Sequence, residues 1–305
     1  MSRTDNAETK ATPARAEKSR EVRERRFGLL LVSPAAVVFL VFLLVPLVYA
    51  LWLSLHSTTL AGVTRFAGID NYLRVAQDPS FHSGLVRVAG YALVLIPAQL
   101  IVATAGALLI DALANRFARL ARLLMFLPYA IPIAIGAIMW GFLYSPTFGP
   151  LQEIFGSHAP DLLGDGIVVA LTNIVTWQWS GYFMIILYAA LQGIDPAVYE
   201  AASLDGAGPV QIALRIKIPT VASSFTLIIL FALIGALQFF TEPQVLSNVA
   251  GGVITPDYTP NLYAYTLAFK YNQVEYASTV SFALGFIVIL CSVLFMFVSN
   301  RRSAR

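Results

Sequence analysis

Long runs of apolar residues alternate with short polar stretches along most of the 305-residue chain. A helix needs about 20 such residues to cross roughly 30 Å of hydrocarbon. Six runs are long enough, so the pattern predicts six transmembrane helices. Pro128 and Pro132 lie in the third run and indicate a kink, although kinks also occur in ordinary packing. The runs fall at approximately 28–55, 85–112, 120–145, 166–192, 218–241 and 278–299.

The composition supports the same fold class. Hydrophobic residues make up 58% of the chain and charged residues only 12%, whereas soluble domains carry roughly 25% charged residues. The chain is therefore expected to be an all-α integral membrane protein, and the class of soluble enzymes is excluded. The single cysteine, Cys291, lies in the last apolar run and is expected to pack as a small hydrophobe.

Basic residues are distributed asymmetrically between the loops. If the N-terminus is cytoplasmic, sixteen of the twenty Lys and Arg residues lie on the cytoplasmic side and four on the external side. Because cytoplasmic loops carry the excess of positive charge, this orientation is favoured. It places both termini and the loop at about 195–217 in the cytoplasm.

The N-terminal segment, residues 1–26, contains eight of the basic residues in a polar sequence. This composition predicts a disordered, basic cytoplasmic tail. Five interspersed acidic residues argue against a nucleic-acid-binding arm, so no nucleic-acid partner is expected. Residues 27–300 then form one transmembrane domain, and residues 301–305 form a second short cytoplasmic tail.

The loop at 195–217 is a polar, small-residue island between two apolar runs. Asp195 can cap a short helix whose first turn contains Pro196, where the missing N–H has no consequence. Gly206 and Gly208 are expected to end that helix. By spacing alone, the segment could equally be an ordinary helix-turn-helix loop on the membrane surface.

The motif in this loop adds a more specific interpretation. Glu200-Ala201-Ala202, followed by Gly206 and Ile218-Pro219, resembles the EAA loop of binding-protein-dependent ABC importer permeases. The resemblance extends back to Leu127–Pro132 and covers most of residues 27–300. It is closest to the sugar-uptake class of the maltose and glycerol-phosphate type. The region from Leu246-Ser247-Asn248 to Phe269 looks like the first membrane subunit of such systems.

This resemblance implies a type I ABC importer permease-like fold and a set of partners. The chain would form a heterodimer with a second permease subunit in the cytoplasmic (inner) membrane, in contact with membrane lipid. A dimer of ATP-binding subunits and an extracytoplasmic solute-binding protein would complete the importer of a sugar-like solute. ATP and Mg would be used by the partner ATPase, so this chain itself is not expected to be an enzyme.

The resemblance also assigns roles to individual residues. A coupling helix in the loop would dock in a cleft of the ATPase, with Glu200 making a polar contact and the small residues permitting close packing. The ATPase-coupling residues implied in this way are Glu200, Ala201, Ala202, Asp205 and Gly206.

Several amides lie inside the apolar runs, where each needs a hydrogen-bonding partner. These are Gln99, Asn173, Gln178, Gln192 and Gln238. Bonds between helices would satisfy them, and recognition of solute hydroxyl groups is the functional alternative. Gln178 and Tyr182 are four residues apart and share one helix face.

By resemblance, the substrate pathway would involve Gln178, Tyr182, Gly235, Gln238 and Phe239. The chain departs from the maltose-type pattern at Val175 and Trp179, which leaves the identity of the solute open. The tyrosine-rich outer segment 242–277 is typical of an interfacial aromatic belt, and it could alternatively contact a solute-binding protein.

No catalytic, cofactor-binding or metal-binding residues are expected. The chain lacks a P-loop motif, and His56, His82 and His158 are isolated from one another. Asp111 lies near Arg116 and Arg119, which favours a snorkelling or locally paired carboxylate over a proton relay.

Two other classes of function remain open at this point. A stand-alone secondary transporter or channel would work without nucleotide or partners. A structural scaffold would tolerate leucine at Gln178 and Gln238 without a change in transport.

Overall fold

The structure is a computed structural model, which describes residues 27–59, 62–113 and 115–303. The predicted tail at 1–26 lies outside the described residues. The described residues divide into two compact units, with the boundary between Leu53 and Ser54. The described part of the first unit belongs to helix α1 (Phe27–Ser54), which contains a π-helical turn at Leu40–Leu44. Its large apolar side chains are mostly exposed, as suits a helix surrounded by hydrocarbon.

The second unit begins with a two-stranded antiparallel hairpin in which His56 pairs with Phe66. Helices follow, with 3₁₀ turns at Leu127–Ala130 and Gly156–His158. The strands are β1 (His56–Thr58) and β2 (Thr64–Phe66), and the helices are α2 (Asp70–Val75), α3 (Pro79–Asp111), α4 (Asn115–Phe126), α5 (Ile133–Tyr144), α6 (Pro150–Phe155), α7 (Ile167–Leu191), α8 (Pro196–Leu204), α9 (Pro209–Ile212), α10 (Ala222–Leu237), α11 (Thr241–Leu246), α12 (Pro260–Phe269) and α13 (Val274–Ser303). A π-helical segment, Ala213–Lys217, and a single turn, Ile218–Thr220, connect α9 to α10.

Within the described part of the chain, five helical segments are long and apolar enough to cross a membrane. Two further pieces, Arg116–Ala130 and Ile133–Tyr144, meet at 97° and together form a broken span or a re-entrant loop. The run at 120–145, in which the prolines predicted a kink, is therefore a sharply bent pair of helices. The physical reason is that Ile131 precedes Pro132 and adopts an extended conformation, with φ −79° and ψ 130°, because a proline ring disfavours helical backbone in the residue before it.

Helix α7 is the centre of the second unit and packs against α3, α4, α5 and α10. Ile174, Phe183 and Met184 on this helix are almost completely buried. Gly181 allows α4 to approach closely, since a Cβ atom there would lie 1.9 Å from the Met125 carbonyl oxygen. The helix that carries Gln178 and Tyr182 is therefore held from several sides.

Asp78 organises the N-terminal end of α3. Its Oδ1 accepts a hydrogen bond from the Ser80 backbone N–H at 2.9 Å, which caps the helix and starts it earlier than the predicted residue 85. Its Oδ2 accepts hydrogen bonds from the hydroxyls of Tyr263 and Tyr276, at 2.8 and 2.7 Å. Arg74 lies over the Tyr276 ring, 4.0 Å from its centroid. One carboxylate thus links α3 to α12 and α13.

Candidate coupling loop and solute pathway

Helix α8 has the local structure that the sequence predicts. The Asp195 Oδ1 accepts a hydrogen bond from the Ala197 N–H at 2.9 Å, and Pro196 occupies the first turn. Gly206 ends the helix in the left-handed region, with φ +84°, which glycine adopts without steric penalty. The Ala207 N–H then donates to the Ala202 carbonyl at 2.9 Å, so the carbonyls at this helix end are satisfied.

The side chains implied in coupling lie on an open surface. Ala202 is half-buried, while the remaining four, Glu200, Ala201, Asp205 and Gly206, are exposed. Leu204 beside them is 89% exposed. Small residues next to an uncovered leucine form a surface that a second backbone can approach closely. This arrangement suits protein contact better than it suits catalysis.

Asp111, at the last position of α3, connects this loop to two spans. Its Oδ2 forms an ion pair with the Lys217 Nζ at 2.5 Å, and its Oδ1 accepts a hydrogen bond from the Gln192 Nε2 at 2.8 Å. The predicted local pairing with Arg116 or Arg119 is not the contact that the structure shows. We refer to Asp111, Gln192, Tyr199 and Lys217 as the Asp111 junction.

Tyr199 of α8 completes the Asp111 junction. The Lys217 Nζ lies 4.9 Å from the centroid of its ring, within the range of a cation–π interaction. Burial, and secondarily the negative charge of Asp111, raises the pKa of the Tyr199 hydroxyl. That hydroxyl is buried without a hydrogen-bonding partner. Since Asp111 and Lys217 are 106 residues apart, no local pattern in the sequence could have indicated this contact.

Gln178 and Tyr182 lie against the break between α4 and α5. The Gln178 side chain is 2% exposed, and its Nε2 donates to the Ile131 carbonyl at 2.7 Å. Its Oε1 is buried without a hydrogen-bonding partner. The Tyr182 ring stacks on Tyr129, with 4.9 Å between the ring centroids. The predicted common face of these two α7 residues is therefore the face toward the break.

The other three predicted pathway residues lie on or just after α10. Phe239 is 5% exposed and stacks on Tyr91, with ring centroids 4.3 Å apart. Gly235 and Gln238 are exposed, and a Cβ atom at Gly235 would meet no neighbour within 4 Å. The structure thus brings Gln178 and Tyr182 together at one place and puts Phe239 into the packed core.

Further aromatic and polar residues lie near Gln178, and their contacts with one another could not be predicted from the sequence. Trp140 of α5 contacts Trp177 edge-to-face, with 5.7 Å between centroids. The Asn173 amide donates to the Tyr144 hydroxyl at 2.6 Å. The Trp140 indole N–H and the hydroxyls of Thr172 and Thr176 are buried without hydrogen-bonding partners. In the sequence these residues are divided between two apolar runs, and only the fold shows that they cluster.

The described residues contain no group of three or more His, Cys, Asp and Glu side chains arranged to hold a metal ion. What the site offers is a set of buried hydrogen-bonding groups beside aromatic rings, joined through α7 to an exposed loop. Such groups can form hydrogen bonds with a polar solute, and such a loop can form an interface with a partner protein.

Long apolar helices linked by a small, exposed, capped helix are the architecture of a multi-span membrane protein. Residues 103–304 match the family described as "Binding-protein-dependent transport system inner membrane component". The match covers well over half of the chain, and the protein belongs to this family. The resemblance stated from the Glu200-Ala201-Ala202 motif is thereby confirmed.

Individual relatives cover nearly the whole chain. It is 30% identical to the probable ABC transporter permease YurN of Bacillus subtilis (strain 168), over 86% of this chain and 92% of that protein. It is 29% identical to the lactose transport system permease LacF of Rhizobium radiobacter, over 90% and 94%. A crystal structure of a bacterial ABC transporter that imports alginate has the same fold, with a TM-score of 0.79 and 19% identity over 93% of this chain and 99% of that one.

Proposed function

We propose that this permease moves a sugar or sugar-like solute inward through an ATP-driven importer. The observation that carries the proposal is the exposed helix α8 with its Glu200-Ala201-Ala202 and Gly206 motif, in a chain of the binding-protein-dependent family. The named lactose permease and the alginate importer fold support a carbohydrate solute. The buried amide and indole groups near Gln178 suit hydroxyl-rich molecules, which offer both donors and acceptors.

The same family membership supports a set of proposed partners. The chain pairs with a second permease subunit, receives solute from an extracytoplasmic binding protein and is driven by a dimer of ATP-binding subunits. ATP and Mg are held by those subunits. The complex lies in the cytoplasmic membrane with both termini of this chain inside, as the distribution of its basic residues favours.

In the proposed mechanism, α8 sits in a cleft of the ATPase and moves with it as a rigid body. Glu200 and Asp205 make polar contacts to the ATPase, while Ala201, Ala202 and Gly206 let the two backbones approach. Closure of the ATPase dimer on ATP displaces α8 and tilts the attached spans, which changes the pathway from inward-open to outward-open. The helices themselves move little internally, because their cores are close-packed.

The solute passes the face of α7 that carries Gln178 and Tyr182, with Gly235, Gln238 and Phe239 contributing from α10 and its C-terminal end. Gln178 is already oriented by Ile131, and its Oε1, which is buried without a hydrogen-bonding partner, accepts a hydrogen bond from a solute hydroxyl once the spans move apart. A thermal-shift screen of the binding protein with lactose, maltose, sn-glycerol-3-phosphate and an alginate oligosaccharide would define the solute to be used in transport assays.

The coupling role is tested by changing Gly206 to arginine in the reconstituted complex. A charged side chain that loses its solvation in an interface costs about 2–5 kcal/mol, so ATPase co-purification and ATP-dependent uptake should both fall more than about tenfold. Gly156→Arg is the matched control: this glycine also has a positive φ, +55°, and no neighbour within 4 Å of an added Cβ, but it lies between α6 and α7. Unchanged docking and uptake in Gly206→Arg, or uptake by the purified chain alone without nucleotide, would overturn the proposal.

A further inference from the structure

Helix α8 makes few contacts with the spans that it is proposed to move. Of its nine residues, only Tyr199 and Ala202 are half-buried, and the others are exposed. A force applied to α8 can therefore reach the spans by two routes. One is the backbone at either end of the loop, which contains glycines, and the other is the Asp111 junction.

The position of Asp111 is electrostatically unfavourable for α3 taken alone. Asp111 is the last residue of that helix, where the partial negative charge of the helix dipole disfavours a carboxylate. Lys217 and Gln192 offset this disadvantage from two other segments. A carboxylate at this position thus contributes through its long-range partners and not through α3 itself.

The ion pair is largely shielded from water. The side chain of Asp111 is 11% exposed and that of Lys217 is 17% exposed. Salt screens shielded pairs much less than pairs on an open surface. The Lys217 ammonium also faces the Tyr199 ring, so one cation contacts the end of α3 and the middle of α8, while Gln192 adds the end of α7.

We propose that Asp111 is a positioning residue that transmits the movement of α8 to α3 and α7. The Asp111 junction ties three helix segments and the π-helical turn at Lys217 into one body, so displacement of α8 pulls on two spans at once. This inference rests on the proposed function of α8. It assigns to Asp111 a role in coupling, separate from binding of the ATPase and from contact with the solute.

The test uses the whole reconstituted complex and does not require a known solute. Gln238→Cys, in a Cys291→Ser background, serves as a reporter whose reaction with a maleimide is measured in nucleotide-free and ADP–vanadate-trapped complexes. With Asp111 intact, trapping should change the labelling rate. In Asp111→Asn the ATPase should remain bound and active, while the change in labelling shrinks at least about fivefold, the lower range of allosteric coupling.

Two further variants separate coupling from simple damage. The charge exchange Asp111→Lys with Lys217→Asp re-forms the ion pair but removes the Lys217 ammonium from the Tyr199 ring. It should therefore restore part of the labelling response, whereas each single change should restore none. Arg215→Met is the matched control, because Arg215 lies in the same π-helical segment but is exposed; it should behave like the parent complex. Where Asp111→Asn fails to assemble, Lys217→Gln is measured in its place.

The possible results are distinct. A full labelling response in assembled Asp111→Asn would refute the inference, and so would a parallel loss of ATP hydrolysis and labelling that the charge exchange does not restore. Absence of any vanadate-dependent change with Asp111 intact would instead contradict the proposed function.

Discussion

Helix α3 has an aspartate at each end, and the two have opposite relations to the helix. Asp78 precedes the first turn, where its carboxylate complements the positive end of the helix dipole and caps a free N–H. Asp111 occupies the last position, where a carboxylate opposes the dipole. Asp78 therefore stands where the helix itself favours a carboxylate. Asp111 stands where the helix disfavours one, and it is stabilised by partners that are distant in sequence.

The two carboxylates also differ in their surroundings. Asp78 accepts bonds from two tyrosines, one on α12, which packs against α3, and one on α13, which packs against α12. Asp111 meets a lysine that follows an exposed loop. Natural sequences are locally consistent where only stability is selected, and departures from consistency concentrate at functional sites. The comparison therefore assigns stability to the Asp78 end of α3 and movement to the Asp111 end.

The largest effect on stability is expected from Asp78→Ala. The change removes a helix cap, worth about 1 kcal/mol, and leaves two tyrosine hydroxyls without their charged acceptor, at about 1.5–3 kcal/mol for a bond of this type before solvent exposure reduces it. We expect a loss of about 2–3 kcal/mol, seen as a lower thermal midpoint of the detergent-solubilised protein. Asp165→Ala, at an exposed loop aspartate, is the control and should be close to neutral. A neutral Asp78→Ala would remove the contrast between the two ends.

The parts of the molecule that follow local rules could be predicted from the sequence. Asp195, Pro196 and Gly206 specify the beginning and end of α8 through capping and backbone freedom, and the structure shows them in those roles. Six apolar runs predicted the spans, although the prolines in the third run gave only a kink and not the 97° bend. The bend angle depends on the residues that pack around the break. Those residues come from distant parts of the chain, so the local sequence does not determine the angle.

The contacts that define the candidate sites are long-range and could not be predicted in this way. Asp111 was expected to snorkel or to pair locally near Arg116 and Arg119, because proximity in sequence was the only available guide. Trp140 and Trp177 lie in different apolar runs, and only the fold shows that α5 and α7 bring them together. The assignment of Gln178 and Tyr182 to the pathway came from a family resemblance and stays a prediction.

Two glycines on α3, one nearer each end, test how tightly the two ends are packed. At Gly84, near Asp78, an added Cβ would lie 3.2 Å from Pro260 and 3.3 Å from the Thr259 carbonyl carbon, which are parts of a rigid turn. At Gly106, nearer Asp111, it would lie 2.5 Å from the Met125 methyl, 3.0 Å from the Met125 Sδ and 3.3 Å from the Met184 Cγ, all of them atoms of flexible side chains. We expect Gly84→Ala to lower stability by about 1–2 kcal/mol. Gly106→Ala should be within about 0.5 kcal/mol of neutral, because the gain in helix propensity offsets the displacement of the two methionine side chains.

Thermal midpoints of the two alanine variants, measured in the same detergent, decide this prediction. Gly90→Ala is the control on the same helix, since a Cβ there has no neighbour within 4 Å; it should be neutral or slightly stabilising. If Gly106→Ala proves the more damaging change, the Asp111 end is packed as rigidly as the Asp78 end and the assignment of movement to it loses its support.

The smallest expected effect is the dependence of stability on acid pH at the Asp78 end. Burial tends to raise the pKa of Asp78, but hydrogen bonds from Tyr276, Tyr263 and the backbone outweigh it and lower that pKa below its ordinary value of 3.8. A carboxyl whose pKa is lower in the folded state contributes stability above its unfolded pKa and loses it as the pH falls through the folded pKa.

The Asp78→Asn variant lacks this titration, so the difference in thermal midpoint between it and the parent protein should be constant near neutral pH and should shrink below about pH 4. The effect should amount to less than about 1 kcal/mol, because the carboxylate is partly exposed. A difference that grows as the pH falls would mean that the tyrosines prefer the protonated carboxyl, and Asp78 would then no longer be the favourable counterpart of Asp111.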